Sequence, residues 1–206
     1  MQDDRKRSKK ELIILNTALD IMLRSDFNAA TKKAVSDIGP ISYEDVQSFY
    51  ITDDALRMAA MEYAVNTWVM NVKEELAREE DPRLRIKKLL RHYVAGPESY
   101  GDSLPLYVDL WKRIRDCCNG STSYLKEKAN SIYSLYTDTF IELLCSYLNI
   151  RSEKEPWIRV VARVMVVLSD GFHVQALVQG ESPEFDLIVE VLYEMLMCYI
   201  ENEGIE

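Results

Sequence analysis

A chain of 206 residues, 48% hydrophobic and 29% charged, is long enough for a sizeable core in one compact unit or in a small domain joined to a larger one. Its formal net charge of −9 excludes a generic nucleic-acid coat, although a local basic arm can act within an acidic whole. Seven Gly, six Pro and no alternating strand-like runs point to an all-α fold. No apolar run is long enough to span a bilayer, and Met1–Arg5 lacks the apolar stretch of a signal peptide, so a cytoplasmic chain is expected.

The first helix is announced by Ser8-Lys9-Lys10-Glu11, which has capping-box spacing. Leu12, Leu15, Leu19, Met22 and Leu23 recur near a 3.6-residue period behind it and predict one buried face. Asn28 or Ala30 opens a second helix, over Thr31 to Ile38, which Gly39-Pro40 stops. Ser42 caps a third, Tyr43 to about Tyr50, and Asp53-Asp54 starts a fourth that runs to about residue 79. Two short helices around a Gly-containing turn form a helix-turn-helix, whose second member enters the major groove in DNA-binding proteins.

Further along, Asp81 as cap and Pro82 at the first helical position start a fifth helix to about Val94. Ala95 to Ser103, with Gly96-Pro97 and Gly101, reads as the longest loop. A sixth helix is expected over about 104–118, a seventh from Ser121 or Ser123 to about Leu148, an eighth over 154–179 and a ninth over 183–202. The eighth is apolar nearly all round from Trp157 to Leu168 apart from Arg159 and Arg163, so it must be covered on more than one side. The ninth carries Leu187, Ile188, Val191, Leu192, Met195, Leu196 and Tyr199, more apolar surface than the last helix of a monomer needs.

Residues Ile14 to Met22, then Phe27, Thr31, Val35, Ile41-Ser42, Tyr50 and Leu56, resemble the amino-terminal domain of tetracycline-repressor (TetR) family regulators, without a gap across some fifty residues. Leu168 to Leu177, with an Asp-Gly step inside a long apolar helix, is similar to the helical carboxy-terminal domains of the same family. The sequence departs from the family pattern at Asp26 (usually Gly), at Ala30-Thr31 (usually two Thr) and at Pro40 (usually the turn Gly, here one place early as Gly39). Gln47 stands where the family has a phosphate-touching Tyr, and Asp53 where it has a Lys that opens the fourth helix.

The resemblance implies a helix-turn-helix domain over 1–56 and a ligand-binding and dimerisation domain over 57–206. It also implies a ligand-responsive regulator, a repressor by expectation, that binds a pseudo-palindromic operator as a homodimer through the eighth and ninth helices. A ligand among helices four to eight would shift helix four and change the separation of the two reading heads. Ser42, Tyr43, Gln47, Ser48 and Tyr50 are the candidate reading residues, with Lys32, Lys33 and the arm Arg5-Lys6-Arg7, Lys9-Lys10 on phosphate. Tyr63, Trp68, His92, Tyr93, Tyr107, Trp111, Tyr133, Tyr136, Met165 and His173 are the candidate lining of a site for a small lipophilic or aromatic effector.

The rival expectation is a TetR-like dimer that has lost operator binding and acts through a small-molecule or protein partner. Between Lys33 and Arg57 there is no Lys or Arg, only the carboxylates Asp37, Glu44, Asp45, Asp53 and Asp54. No cofactor, metal or catalytic activity is expected: there is no Gly-rich phosphate loop, no Gly-x-Ser-x-Gly elbow, and the two His lie on separate helices. Asp170-Gly171-Phe172 matches the kinase magnesium motif by accident. Cys117, Cys118, Cys145 and Cys198 have neither zinc nor disulfide spacing and are expected to be small buried hydrophobes.

Overall fold

The computed structural model describes residues 7–95, 100–116, 121–149, 156–179 and 184–202. Among these it is all-α: α1 Lys9–Arg24, α2 Lys32–Ile38, α3 Tyr43–Phe49, α4 Asp53–Ala77, α5 Pro82–Ala95, α6 Tyr100–Asp116, α7 Ser121–Leu148, α8 Pro156–Gln179 and α9 Phe185–Asn202. A single 3₁₀ turn, Phe27–Ala29, lies between α1 and α2. No helix among the described residues is long and apolar enough to cross a membrane.

Local chemistry sets most helix starts. Ser8 Oγ accepts from the Glu11 amide at 3.1 Å, Ser42 Oγ from Asp45 at 3.1 Å, and Asp81 Oδ1 from Arg83 at 2.8 Å. Only half of the expected capping box at Ser8 forms, because the Glu11 carboxylate instead accepts from the Tyr50 hydroxyl at 3.3 Å. The cap of α2 is Thr31, whose Oγ1 accepts from Ala34 at 3.0 Å, and neither Asn28 nor Ala30. Asp26, where the resembled family has Gly, receives the Asn28 and Ala29 amides at 2.7 and 3.1 Å and so builds the 3₁₀ turn that precedes it. At the other end of α7, Asn149 takes a left-handed backbone (φ 55°), a conformation Asn tolerates just past a helix.

Two sequence expectations are corrected. The buried stripe of α1 is Ile14, Leu15, Ala18, Ile21 and Met22; Leu23 is exposed, so the stripe is rotated from the one the leucines suggested. Tyr100 to Ser103, expected as loop, is the first turn of α6. Gly101 and Ser103 disfavour helix by no more than about 1 kcal/mol each, too little to set a boundary alone. Residues 96–99 of that loop, Arg5, Lys6, Cys117 and Cys118 lie outside the described residues.

The chain divides into two compact units, Met1–Thr67 with Pro105–Ile132, and Trp68–Leu104 with Tyr133–Glu206. In the first, α1 packs against α2 and the 3₁₀ turn, and α2 against α3, around fully buried Ile14, Leu15, Phe27, Val35, Val46 and Leu56. In the second, α5 packs on both α8 and α9, with Leu89, Leu90, Phe140, Ile158 and Met165 inside. Ion pairs Lys87–Glu190 and Arg91–Asp186 tie α5 to α9. Cys145 is buried as expected, whereas Cys198 is exposed on the outer side of α9.

Candidate functional site

The first unit presents α2, a turn and α3 as a helix-turn-helix. Gly39 closes α2 and makes the turn possible. A Cβ there would come within 2.9 Å of the Val35 carbonyl oxygen and 3.3 Å of Thr17 Oγ1 on α1. Its φ of −86° is ordinary, so close approach and not backbone conformation requires glycine at this place. Ile41 and Val46 then anchor α3 in the core, which leaves Ser42, Tyr43, Glu44, Gln47, Ser48 and Phe49 exposed. Tyr50 is different. It is only 8% exposed, its hydroxyl donates to Glu11, and burial together with that carboxylate pushes its pKa up. Its place in the structure is to hold α1 against the end of α3, not to face outward.

The carboxylates that made this segment look acidic are mostly engaged within the unit. Lys10 Nζ on α1 donates to both oxygens of Asp45 at 3.0 Å, and Lys33 pairs with Asp37 at 3.1 Å. Asp53 Oδ1 accepts the Lys32 backbone amide at 2.8 Å, so the residue that stands in for a phosphate-binding Lys supports the first turn of α2. Lys32 itself folds back, its ammonium donating to the Ile51 carbonyl at 2.8 Å and lying 5.9 Å from the Tyr43 ring centre.

Asp54 is the centre of a node that sequence reasoning missed. It accepts from Arg57 Nη1 at 2.7 Å and from Arg113 Nη2 on α6 at 3.0 Å. Arg57, 5% exposed, also donates to the carbonyls of Asn28 (2.7 Å) and Ala30 (3.0 Å) and covers the Phe27 ring. Arg113 reaches Asn28 Oδ1 at 3.3 Å. The one hint in the sequence is a lone Arg inside the apolar run Leu56-Arg57-Met58. Its partner Arg113 is too far along the chain to be inferred.

The ten expected effector-lining residues fall into both units. Tyr63, Tyr107 and Trp111 belong to the first, where Arg7 lies over the Tyr63 ring (5.4 Å) and Tyr107 and Trp111 are 6.5 Å apart. Trp68, His92, Tyr93, Tyr133, Tyr136, Met165 and His173 belong to the second. There Trp68 packs on Tyr93 (5.2 Å) and Tyr136 (4.9 Å), and Tyr93 on Phe140 (4.9 Å). The Tyr93 hydroxyl donates to the Tyr136 carbonyl at 3.0 Å, and burial pushes its pKa up. The Trp68 indole N–H is buried with no acceptor, a state that costs about 1–3 kcal/mol until something accepts from it. His92 Nε2 lies 3.1 Å from Glu75; burial lowers the imidazole's pKa, against the pull of that carboxylate. His173 is buried with Nδ1 2.7 Å from the Ser169 carbonyl and Nε2 2.9 Å from the Ala95 carbonyl at the end of α5. Tyr133 reaches Asp170 at 3.4 Å. Among the described residues no three His, Cys, Asp or Glu side chains converge on a metal position.

No protein-family model and no curated protein matches this sequence. Solved structures do match its fold along nearly the whole chain. A transcriptional regulator from Pseudomonas aeruginosa PAO1 superposes with a TM-score of 0.68 at 14% identity, covering 98% of this chain and 99% of its own. The regulator FadR from Bacillus subtilis, solved with stearoyl-CoA, gives 0.62 at 10% identity over 90% and 96%. A regulator from Saccharomonospora viridis, solved with choline, gives 0.58 at 18% identity over 95% and 97%. At such identities the likeness is one of fold alone.

Proposed function

We propose that this chain is a ligand-responsive transcriptional regulator of TetR-like build, which binds an inverted-repeat operator as a homodimer. The observation that carries the reading is the pairing of the reading head's carboxylates. Asp37, Asp45 and Asp54 each face a cation within the unit, and Asp53 accepts a backbone amide, so three of the segment's five carboxylates are offset within the unit. Tyr43, Gln47 and Ser48 are left exposed on α3 to meet base edges, while Lys32, Lys33, Lys9 and Lys10 flank it as phosphate contacts. The Lys10–Asp45 and Lys33–Asp37 pairs are solvent-exposed and hold by about 1 kcal/mol or less, and each ammonium has further donors to offer a phosphate while it stays beside its carboxylate.

The effector would bind in the second unit near the Trp68–Tyr93–Tyr136 rings, as a small lipophilic or aromatic molecule with a hydrogen-bond acceptor for the Trp68 N–H. One solved neighbour holds an acyl-CoA and another a choline, so the fold accommodates quite different ligands and the lining side chains choose among them. The homodimer is supported by the apolar side chains that α8 and α9 leave exposed.

Selection of random double-stranded DNA by the purified full-length protein, at two salt concentrations, tests the reading. Enrichment of an inverted repeat, with half-sites one helical turn or a multiple apart and affinity that falls with salt, is the expected result. Failure to enrich any sequence at either salt concentration overturns operator binding and leaves a helical dimer that acts through another partner.

A further inference from the structure

Of the five carboxylates between Lys33 and Arg57, Glu44 is the one left over. Asp37, Asp45 and Asp54 face cations and Asp53 accepts an amide, whereas Glu44 has neither a side-chain hydrogen bond nor an ion pair among the described residues. It also stands at the crest of α3. Val46 is fully buried and fixes the inner side of that helix. At about 100° per residue, Glu44 and Ser48 fall within about 20° of the direction opposite to Val46, with Gln47 and Tyr43 on one flank. All four are exposed.

Most of the hydrogen-bonding capacity around Glu44 is already in use. Ser48 Oγ donates to the Asp45 carbonyl at 2.7 Å, so toward a base its hydroxyl can only accept. Ser42 Oγ accepts the Asp45 amide, and both Asp45 carboxylate oxygens receive Lys10. The Tyr43 ring lies beside the Lys32 ammonium. α3 itself carries no Lys or Arg, so it has no cation to meet the O6 and N7 acceptors of a guanine. What remains is an acceptor-only carboxylate at the crest and, beside it, the Gln47 amide, which can both donate and accept.

A carboxylate in that position discriminates because nearly everything a duplex offers it is an acceptor. Phosphates repel it. In the major groove guanine presents N7 and O6, thymine O4, and adenine an amine beside the N7 acceptor. Cytosine alone presents an amine with no acceptor on the same base edge. We infer that Glu44 is a specificity-determining residue of the operator contact, its carboxylate accepting from the N4 amine of one cytosine in each half-site. The inference rests on the operator binding proposed above and names the base that the head selects. Gln47 suits more than one base, so the strictest position of the half-site is the one that faces Glu44.

Selection of random duplexes by the full-length wild type and by Glu44→Gln, followed by titration of the enriched repeat, tests it. The side chain is exposed and Gln matches Glu in helix propensity, so the fold is kept. The expected wild-type half-site has one position where cytosine is preferred over each other base by roughly tenfold or more. In Glu44→Gln that preference falls to within roughly threefold while the rest of the repeat is retained. Affinity for unrelated duplexes rises in the variant, because a charge facing phosphate is gone. N4-methylcytosine at the same position gives a readout that charge repulsion does not move, since its methyl group replaces the groove-facing amine hydrogen and leaves the base pair intact. It should weaken the wild type roughly tenfold and Glu44→Gln by less than about threefold. A repeat with the same base preferences in both proteins, or equal weakening of both by the methylated base, overturns the role of Glu44 and leaves operator binding standing. A wild type that enriches no sequence overturns both.

Discussion

At the scale of single residues, the helix-turn-helix depends on side chains whose role is steric or internal and not directed at DNA. Gly39 is the clearest. An added methyl must displace the Val35 carbonyl, a backbone atom that cannot rotate away. Gly39→Ala is therefore expected to lower stability by about 1–3 kcal/mol, read as a fall in the urea midpoint with an unchanged slope. Asp53 separates charge from structure. Asp53→Asn keeps an oxygen for the Lys32 amide and should leave thermal stability nearly unchanged. Asp53→Lys loses that bond and should cost about 1 kcal/mol. Both should raise DNA affinity and steepen its salt dependence if the head meets a duplex; equal affinity in all three proteins would count against operator contact at α4.

At the scale of elements, α4 and α6 are tied to the 3₁₀ turn through Asp54, and α5 to α4 through His92. Arg57 and Arg113 share the Asp54 carboxylate but differ in burial. Arg57→Met should cost about 3 kcal/mol, because it strands the Asn28 and Ala30 carbonyls as well as the carboxylate. Arg113→Met, at a site with a third of its side chain exposed, should cost about 1 kcal/mol or less. Equal losses would show that burial does not rank the two contacts. For His92 the folded state favours the neutral ring, since burial lowers its pKa below the ordinary 6.5. Its contribution is whole above that ordinary value and is lost as pH falls through the lower, folded-state pKa. Denaturation at pH 7 and pH 5 should show a smaller drop in stability for His92→Gln than for the wild type.

At the scale of the whole molecule, the reading of charge changes most. The sequence total of −9 and the carboxylates between Lys33 and Arg57 suggest a head that repels DNA. In the folded chain, Asp45 lies against Lys10 from α1, and Asp54 against Arg113 from α6. If the proposed operator binding holds, Lys33→Ala should weaken it on every sequence alike and reduce the salt slope by about 1, because a phosphate contact carries no base information. A change of preferred sequence instead would place Lys33 against a base edge.

The sequence by itself determined the helices and most of their ends. Ser8, Ser42 and Asp81 cap from within one turn, and apolar spacing reports a helix wherever it recurs, so these signals need nothing distant; at α2 three neighbouring candidates compete, and the cap is Thr31, one residue beyond the expected Ala30. The Gly39 turn and the apolar excess of α8 and α9 were legible for the same reason. Tertiary structure alone decided which face of α1 is buried, because Ile14, Ala18 and Ile21 are chosen by what α2 and the 3₁₀ turn bring against them. It also decided that Tyr50 faces inward to Glu11, that Asp53 supports α2, and that Arg113 completes the Asp54 node. Each of these contacts joins residues far apart in the chain. A carboxylate's partner is set by which helices pack together, and no local pattern carries that information.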